Sequence, residues 1–173
     1  MAISASASID YSNTFSQAHA NVFNLINNRN NVADPLDSKG RRKFVYVREP
    51  RVSGRGFADY PIIIISPVDV SQTNAVVSAT KSITNYSISI QVLCIDGTFP
   101  AIATATGAEQ LNTISNSILQ TLNNETNRTI LRNYGLKNFE LNSSPSDYDD
   151  MEGNLIFMRE FELTFSEVLK ITA

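Results

Sequence analysis

The sequence predicts an α+β protein, with a mostly antiparallel sheet of about four to six strands and two main helices packed on one face. Three observations carry this prediction. Apolar residues recur at helical spacing in two separate stretches. Between and after those stretches, apolar and polar residues alternate, as they do in strands with one buried face. Because strands and helices occur in separate runs, an antiparallel sheet with helices on one side is favoured.

The first helix is expected to span about 17 residues from near Asp10, because Phe15, Val22 and Ile26 recur at helical spacing. The polar run 27–40 follows and contains both a proline and a glycine. These two residue types break helices, so we expect the run to form a loop.

A second helix is expected over residues 105–122, because aliphatic side chains repeat at helical spacing there. The members of this stripe are Leu111, Ile114, Ile118, Leu119 and Leu122. A short helix follows over residues 125–134, and Gly135 is placed to end it as its C′ residue.

Three segments between the helices favour strands. Residues 43–48 and 60–66 are short and largely apolar, whereas residues 68–80 are predicted to be a turn and a weak strand. Residues 85–95 alternate clearly, and the side chains on one face are Tyr86, Ile88, Ile90, Val92 and Cys94.

The longest alternating pattern lies near the C-terminus. Phe139 and Leu141 predict a short strand, and residues 142–153 predict a loop. From Leu155 onwards alternate positions are mostly apolar over about a dozen residues, which indicates a strand with one buried face. Extended to residue 171 it would measure about 55 Å, more than a domain of this size spans. We therefore expect a bend at a bulge near Glu160, or else one end that projects beyond the subunit.

Composition limits the class of protein. A chain of 173 residues with 42% hydrophobic residues fits a single domain over residues 1–173, of which 1–9 are expected to be flexible. The net charge of −3 argues against a polycation that binds nucleic acid. No stretch approaches the roughly 18 apolar residues of a membrane span. Because a signal-peptide pattern is also absent, we expect a soluble protein made and used without crossing a membrane.

The sequence offers no recognisable catalytic arrangement. His19 is the single histidine and has no nearby acidic residue in sequence, so a surface position is expected. Because Cys94 is the single cysteine, an intramolecular disulfide is excluded. Cys94 falls on the apolar face of a predicted strand, where a free thiol packs as a small hydrophobic group. Gly54 and Gly56 lack the spacing of a phosphate-binding loop. We therefore expect that the protein is not an enzyme and uses no cofactor or metal.

Charges are distributed unevenly along the chain. Seven of the 14 basic residues lie between positions 39 and 55: Lys39, Arg41, Arg42, Lys43, Arg48, Arg51 and Arg55. The densest acidic cluster, which lacks the EF-hand calcium spacing, consists of Asp147, Asp149, Asp150 and Glu152. Either both are solvated loops, or a positive patch on one subunit meets a negative patch on its neighbour or another partner. Head-to-tail contacts that close by rotation generate rings.

Four segments stand in a recognisable order: YPIIII at 60–65, SISIQV at 87–92, NYGL at 133–136 and LIFMREFELTFSEV at 155–168. A leading helix and a basic loop precede them, and an acidic loop precedes the last. This order resembles that of the tail terminator (tail completion) proteins of tailed bacteriophages, over about residues 11–171.

The resemblance implies a subunit of a hexameric ring that caps the head-proximal end of the tail tube, stops tail polymerisation and joins the tail to the head connector. The implied partners are further copies of the chain, the tail tube protein and the head connector or neck protein. Genomic DNA would pass through the lumen without specific binding, and no membrane would be involved. The implied location is the virion, at the tail or neck, after assembly in the host cytoplasm.

Two sets of residues are expected to make contacts in such a ring. Ile62–Ile65 place branched apolar side chains on both faces of a strand, so we expect a neighbouring subunit to cover part of one face, at Ile63 and Ile65. The other expected contacts lie on the charged loops: Arg48, Arg51, Arg55, Asp147, Asp149 and Asp150.

Alternatives remain open at this stage. A head completion or connector protein of the same neck would differ only in its position. A soluble ligand-binding α+β domain, a different class, would require a deep pocket with convergent polar groups. A nucleic-acid binder acting through residues 39–55 is disfavoured by the negative net charge and by the few interleaved aromatic residues.

Overall fold

The structure is a computed structural model that describes residues 11–36, 43–48, 50, 60–78, 81–96, 106–133, 136–151 and 154–170. Within these ranges the helices are α1 (Tyr11–Asn27), α2 (Gly107–Asn123) and α3 (Glu125–Asn133). The strands are β1 (Val45–Tyr46), β2 (Ile62–Ile65), β3 (Asp69–Ser78), β4 (Lys81–Asp96), β5 (Lys137–Ser143), β6 (Asp147–Met151) and β7 (Asn154–Lys170). The three predicted helices are confirmed, and Gly135 lies outside the described residues.

The described strands form one mixed sheet in the order β1-β2-β4-β7-β5, with β3 paired to β4 and β6 paired to β7. Only the short β1–β2 pair is parallel, and the other described pairs are antiparallel. The predicted α+β class with a mostly antiparallel sheet is thus confirmed. The sheet has seven strands rather than four to six, because two segments predicted to be mainly loop, turn or weak strand are paired strands.

Those two segments are β3 and β6. β3 has ten residues where a turn and a weak strand were expected, and β6 occupies the middle of the predicted loop 142–153. Each pairs with only one described strand, β4 or β7, and therefore lies at an edge of the sheet. An edge strand needs less apolar patterning than a central one, which explains why the alternation signal was weak in both. Residues 43–48, in contrast, yield only the two-residue β1.

β4 and β7 form the longest ladder of the sheet. Their register runs without a shift from Lys81 opposite Lys170 to Asp96 opposite Leu155. The predicted bulge in β7 near Glu160 is therefore wrong for this ladder. β7 stays extended because β4 is longer than expected and pairs with it along nearly its whole length.

An extra residue does lie opposite Glu160, but it belongs to the β5–β6 segment, which pairs with the side of β7 away from β4. Ser143 pairs with Phe161 and Asp147 with Met158, so the β5–β6 chain advances four residues while β7 advances three. The Ser144 N–H donates to the Glu160 carbonyl at 2.9 Å, and the Glu160 N–H donates to Ser144 Oγ at 3.1 Å. β5 and β6 therefore act as one edge strand interrupted by a bulge.

The core lies between the sheet and the helices. Strand side chains on one face of the sheet and helix side chains form a single buried cluster. The strands contribute Tyr86, Ile88, Ile90, Val92, Cys94, Phe161, Leu163 and Phe165. The helices contribute Ala18, Val22, Ile26, Leu111, Ile114, Ile118, Leu122 and Leu131. The expected buried face of each long strand and the apolar environment of Cys94 are thus confirmed.

The four isoleucines of β2 are all buried within a single chain. Ile62, Ile63 and Ile65 are 0% exposed, and Ile64 is 5% exposed. Ile63 and Ile65 belong to the cluster that contains the helix residues. The expectation that a neighbouring subunit covers Ile63 and Ile65 is therefore wrong, because the chain's own core already removes both side chains from solvent.

The start of α2 fits tightly against the end of β4. Thr106 and Glu109 form a capping box, in which the Glu109 N–H donates to Thr106 Oγ1 at 3.2 Å and the Thr106 N–H donates to Glu109 Oε2 at 2.9 Å. A Cβ atom at Gly107 would lie 2.8 Å from Phe157 Cδ2 and 3.0 Å from the Ile95 carbonyl carbon. Glycine at this position permits the close approach of helix and sheet.

Candidate partner-contact surface

The face of the sheet opposite the helices, here called the outer face, carries two acidic groups of the central strand β7, whereas Arg159 of the same strand lies on the helix side and donates to Asn112. Side chains alternate along a strand, so Ser89 and Gln91 of β4 lie on this face beside Glu160 and Glu162 of β7. By the same register, Glu140 lies on it opposite Thr164. Two grooves cross the outer face.

The first groove is polar and measures about 430 Å³. Its described lining residues are Ser87, Ser89, Asn142, Ser143, Ser144, Glu160 and Glu162. Ser89 Oγ donates to Glu160 Oε1 at 2.6 Å, which fixes one carboxylate against the sheet. The Glu162 side chain is exposed. The groove can therefore present negative charge and hydroxyl groups to whatever lies above it.

The second groove has an apolar floor and an acidic rim, and it measures about 440 Å³. Its described lining residues are Tyr60, Leu93, Asp147, Tyr148, Asp149, Ile156 and Met158. Tyr148 contributes its backbone to this groove, because it pairs with Phe157 and its side chain lies on the helix side of β6. Its ring is 68% exposed, and the ring centroid lies 6.5 Å from that of Phe157. A large aromatic side chain this exposed is a common feature of protein contact surfaces.

The described side chains that line the two grooves include four carboxylates and no basic group: Asp147, Asp149, Glu160 and Glu162. The described side chains in the two grooves of the outer face therefore give these grooves a negative charge. Such a surface repels polyanions and attracts cationic groups.

The edges of the sheet differ in charge. Lys43 and Arg48 flank β1 at one edge, and both side chains are exposed. Lys43 Nζ lies 4.8 Å above the Tyr46 ring, a cation–π contact that holds the ammonium near the strand. At the opposite edge, β5 and β6 carry exposed Glu140, Asp147 and Asp149, which outnumber the exposed Lys137 of β5.

The predicted contact residues fall in different places. Arg48 is exposed beside β1, and Asp147 and Asp149 are exposed on β6, which is a strand rather than the expected loop. Asp150 also belongs to β6, but its side chain is not among those described. Arg51 and Arg55 lie outside the described residues. The structure therefore brings Asp147 and Asp149 into one groove and places Arg48 at the far edge.

His19 has a structural contact that its sequence position did not predict. The ring is half-buried, and its Nε2 lies 3.1 Å from the carbonyl oxygen of Ile65. Because a carbonyl only accepts, Nε2 must carry the proton. The histidine thereby ties α1 to the end of β2, and the expectation of a simple surface histidine is wrong.

Sequence reasoning missed Tyr148 and Ser144. Tyr148 is the one aromatic residue within an acidic run, which alone could have marked it as a contact candidate. Ser144 gave no signal, since its role depends on the register of β5 and β6 against β7.

The described residues contain no group of three or more His, Cys, Asp or Glu side chains that could hold a metal ion. No described helix is long and apolar enough to cross a membrane.

Comparisons with known proteins give little more. No protein-family model matches the chain, and no curated protein matches it. Among solved structures, a chain from the "Virion of native gene transfer agent (GTA) particle" matches with 14% identity and a TM-score of 0.37, over 88% of this chain and 94% of that chain. These comparisons assign the chain to no family.

Proposed function

We propose that this protein is a structural virion protein that forms a ring at the head-proximal end of a phage tail tube, as a tail terminator. The proposal starts from the sequence, in which the order of helices, strands and charged segments resembles that family. In this role the ring stops tail polymerisation and joins the tail to a head connector or neck protein. Its direct partners are further copies of the chain, the tail tube protein and that neck protein.

The acidic outer face is the observation that carries the proposal. Basic side chains in a conduit would bind the phosphate backbone and release its counterions, which would hold the DNA in place. The grooves of the outer face are lined by four described carboxylates and no described basic group. A wall of this charge lets duplex DNA pass without being bound.

The layering of the fold supports the same orientation. The core cluster joins α1 and α2 to one face of the sheet, which leaves the polar groove on the opposite face. A ring built with the helices outside and the sheet inside therefore turns the acidic face towards the bore. The buried Ile63 and Ile65 then stabilise each subunit rather than the contact between subunits.

A soluble ligand-binding domain is a weaker candidate on the described residues. Both grooves lie on the sheet surface, and one of them is rimmed by the exposed side chains of Asp147 and Asp149. A ligand pocket would bury most of its ligand instead. A head completion or connector protein would also present an acidic bore, and its position in the particle distinguishes it.

Electron microscopy of the purified protein mixed with polymerising tail tube protein tests the proposal. We expect a ring at one end of each tube, and tubes that stop growing once the ring is bound. An unrelated acidic α+β protein of similar size serves as the control. Random binding along the tube walls, or tubes of unchanged length with bare ends, would contradict the proposal.

A further inference from the structure

The described side chains at the two opposite edges of the sheet differ in the sign of their net charge. The sheet order places β1 at one end and β5 at the other, with β6 following β5 along the same edge of β7. β1 is flanked by exposed Lys43 and Arg48. β5 and β6 expose three acidic side chains, Glu140, Asp147 and Asp149, and one basic side chain, Lys137. One molecule therefore offers both halves of a charge-complementary pair.

The described basic residues of the β1 edge are Lys43 and Arg48, one on each side of β1 in the sequence. Val47, between them, is 42% exposed. The described part of this edge is thus cationic with an apolar side chain at its centre.

The acidic edge has the matching composition. Glu140, Asp147 and Asp149 are exposed on β5 and β6 and outnumber the exposed Lys137. Tyr148, which points to the other face of β6, has 68% of its surface exposed. The edge is interrupted twice, by the bulge at Ser144 and by a register shift at Asn138, whose φ is 51°. Interruptions of this kind prevent a long backbone ladder with another strand. Contacts made by this edge must therefore depend mainly on side chains.

We propose that the β1 edge of one copy of this chain binds the β5–β6 edge of a second copy, with Lys43 and Arg48 facing Glu140 and Asp147. The partner is a second copy because the chain itself carries the complementary charges, which would steer the two edges together. The contact is heterologous, so repeated rotation generates a ring or an open chain. That such contacts close into a ring at a tail tube rests on the function proposed above. The contact between two copies does not depend on that function.

Two charge-reversed variants test the contact. The basic-edge variant is Lys43→Glu with Arg48→Glu, and the acidic-edge variant is Glu140→Lys with Asp147→Lys. In each variant alone, both edges have the same sign, so self-association weakens by at least about tenfold. In a 1:1 mixture, every contact between unlike variants joins opposite charges again, so association returns towards the wild-type level.

Sedimentation velocity up to about 1 mM protein measures the association. The double change Asn116→Lys with Gln120→Lys is the control, since it adds charge at exposed positions of α2, away from both edges, and should leave association unchanged. Circular dichroism checks that each variant is folded. Even if one variant is less stable, restored association in the mixture still shows that the two edges bind each other.

Three results would overturn the inference: a wild-type protein that stays monomeric at about 1 mM, single variants that associate normally, or a mixture no better than its components. None of these results bears on the tube-capping experiment, which scores a ring on the tube end. A failed mixture with intact capping therefore rejects this contact alone, and normal edge complementation without capping rejects the proposed function alone.

Discussion

Ser89 Oγ lies 2.6 Å from Glu160 Oε1 and donates a hydrogen bond to it across the β4–β7 ladder. The two residues are diagonal neighbours, because Ser89 pairs with Glu162 and Glu160 pairs with Gln91. Hydrogen bonds to an ionised acceptor are short and strong. This bond fixes one negative charge on the outer face at the centre of the sheet.

Replacing Ser89 with Ala should lower the free energy of unfolding by about 1–2 kcal/mol, because the half-buried Glu160 carboxylate loses a donor. Urea titration followed by circular dichroism measures the change. Ser87→Ala is the control, since Ser87 lies on the same face and its change should stay within about 0.5 kcal/mol. Equal effects of the two substitutions would mean that the Ser89–Glu160 bond does not contribute to stability.

Gly107→Ala tests the contact between α2 and β4. An alanine within a helix normally stabilises relative to glycine, but here the added Cβ would lie 2.8 Å from Phe157 Cδ2. We expect the opposite sign, a loss of about 1–3 kcal/mol from overpacking. Asn116→Ala, at an exposed position of the same helix, should be neutral or stabilising. A more stable Gly107→Ala protein would show that the helix end moves away freely.

Ile63→Ala distinguishes a core residue from an interface residue. Because Ile63 is fully buried within one chain, the substitution should cost about 2–5 kcal/mol of unfolding free energy. The cost should be the same at low and high protein concentration, as measured by chemical denaturation at two concentrations. Val70→Ala, at an exposed site outside both proposed contact edges, is the control. A cost that appears only at high concentration would restore the interface interpretation.

The charge of the outer face should affect DNA passage. Particles that carry Asp69→Lys with Glu162→Lys should release their genome more slowly than wild-type particles, since lysines in the bore bind phosphates. The delay should shrink as salt concentration rises, and the isosteric Glu162→Gln change should have a smaller effect. Release at the wild-type rate in low salt would place the outer face away from the DNA.

The helices and the longest strand could be predicted from the sequence because their apolar residues follow one period without interruption. Residues 155–165 alternate, and the structure buries Phe161, Leu163 and Phe165 on the helix side. β6 could not be predicted in this way. Its register places Asp147 and Asp149 on the outer face, so its sequence contains no apolar alternation.

The local sequence pattern also could not show what covers the side chains of Ile62–Ile65. Two-sided apolar strands are buried on both faces, but the sequence does not say whether the same chain or another one provides the cover. The structure shows that the single chain buries all four side chains. Likewise, Lys43 and Glu140 lie at opposite edges only because of the strand order, which no local pattern encodes.

Cryo-electron microscopy of tail tubes assembled with this protein tests the central claim most directly, because it locates β4 and β7 relative to the bore. We predict a ring at one tube end in which Glu160 and Glu162 face the lumen and α1 and α2 lie outside. A ring whose lumen is lined by the helices, or protein bound along the tube sides, would contradict the account.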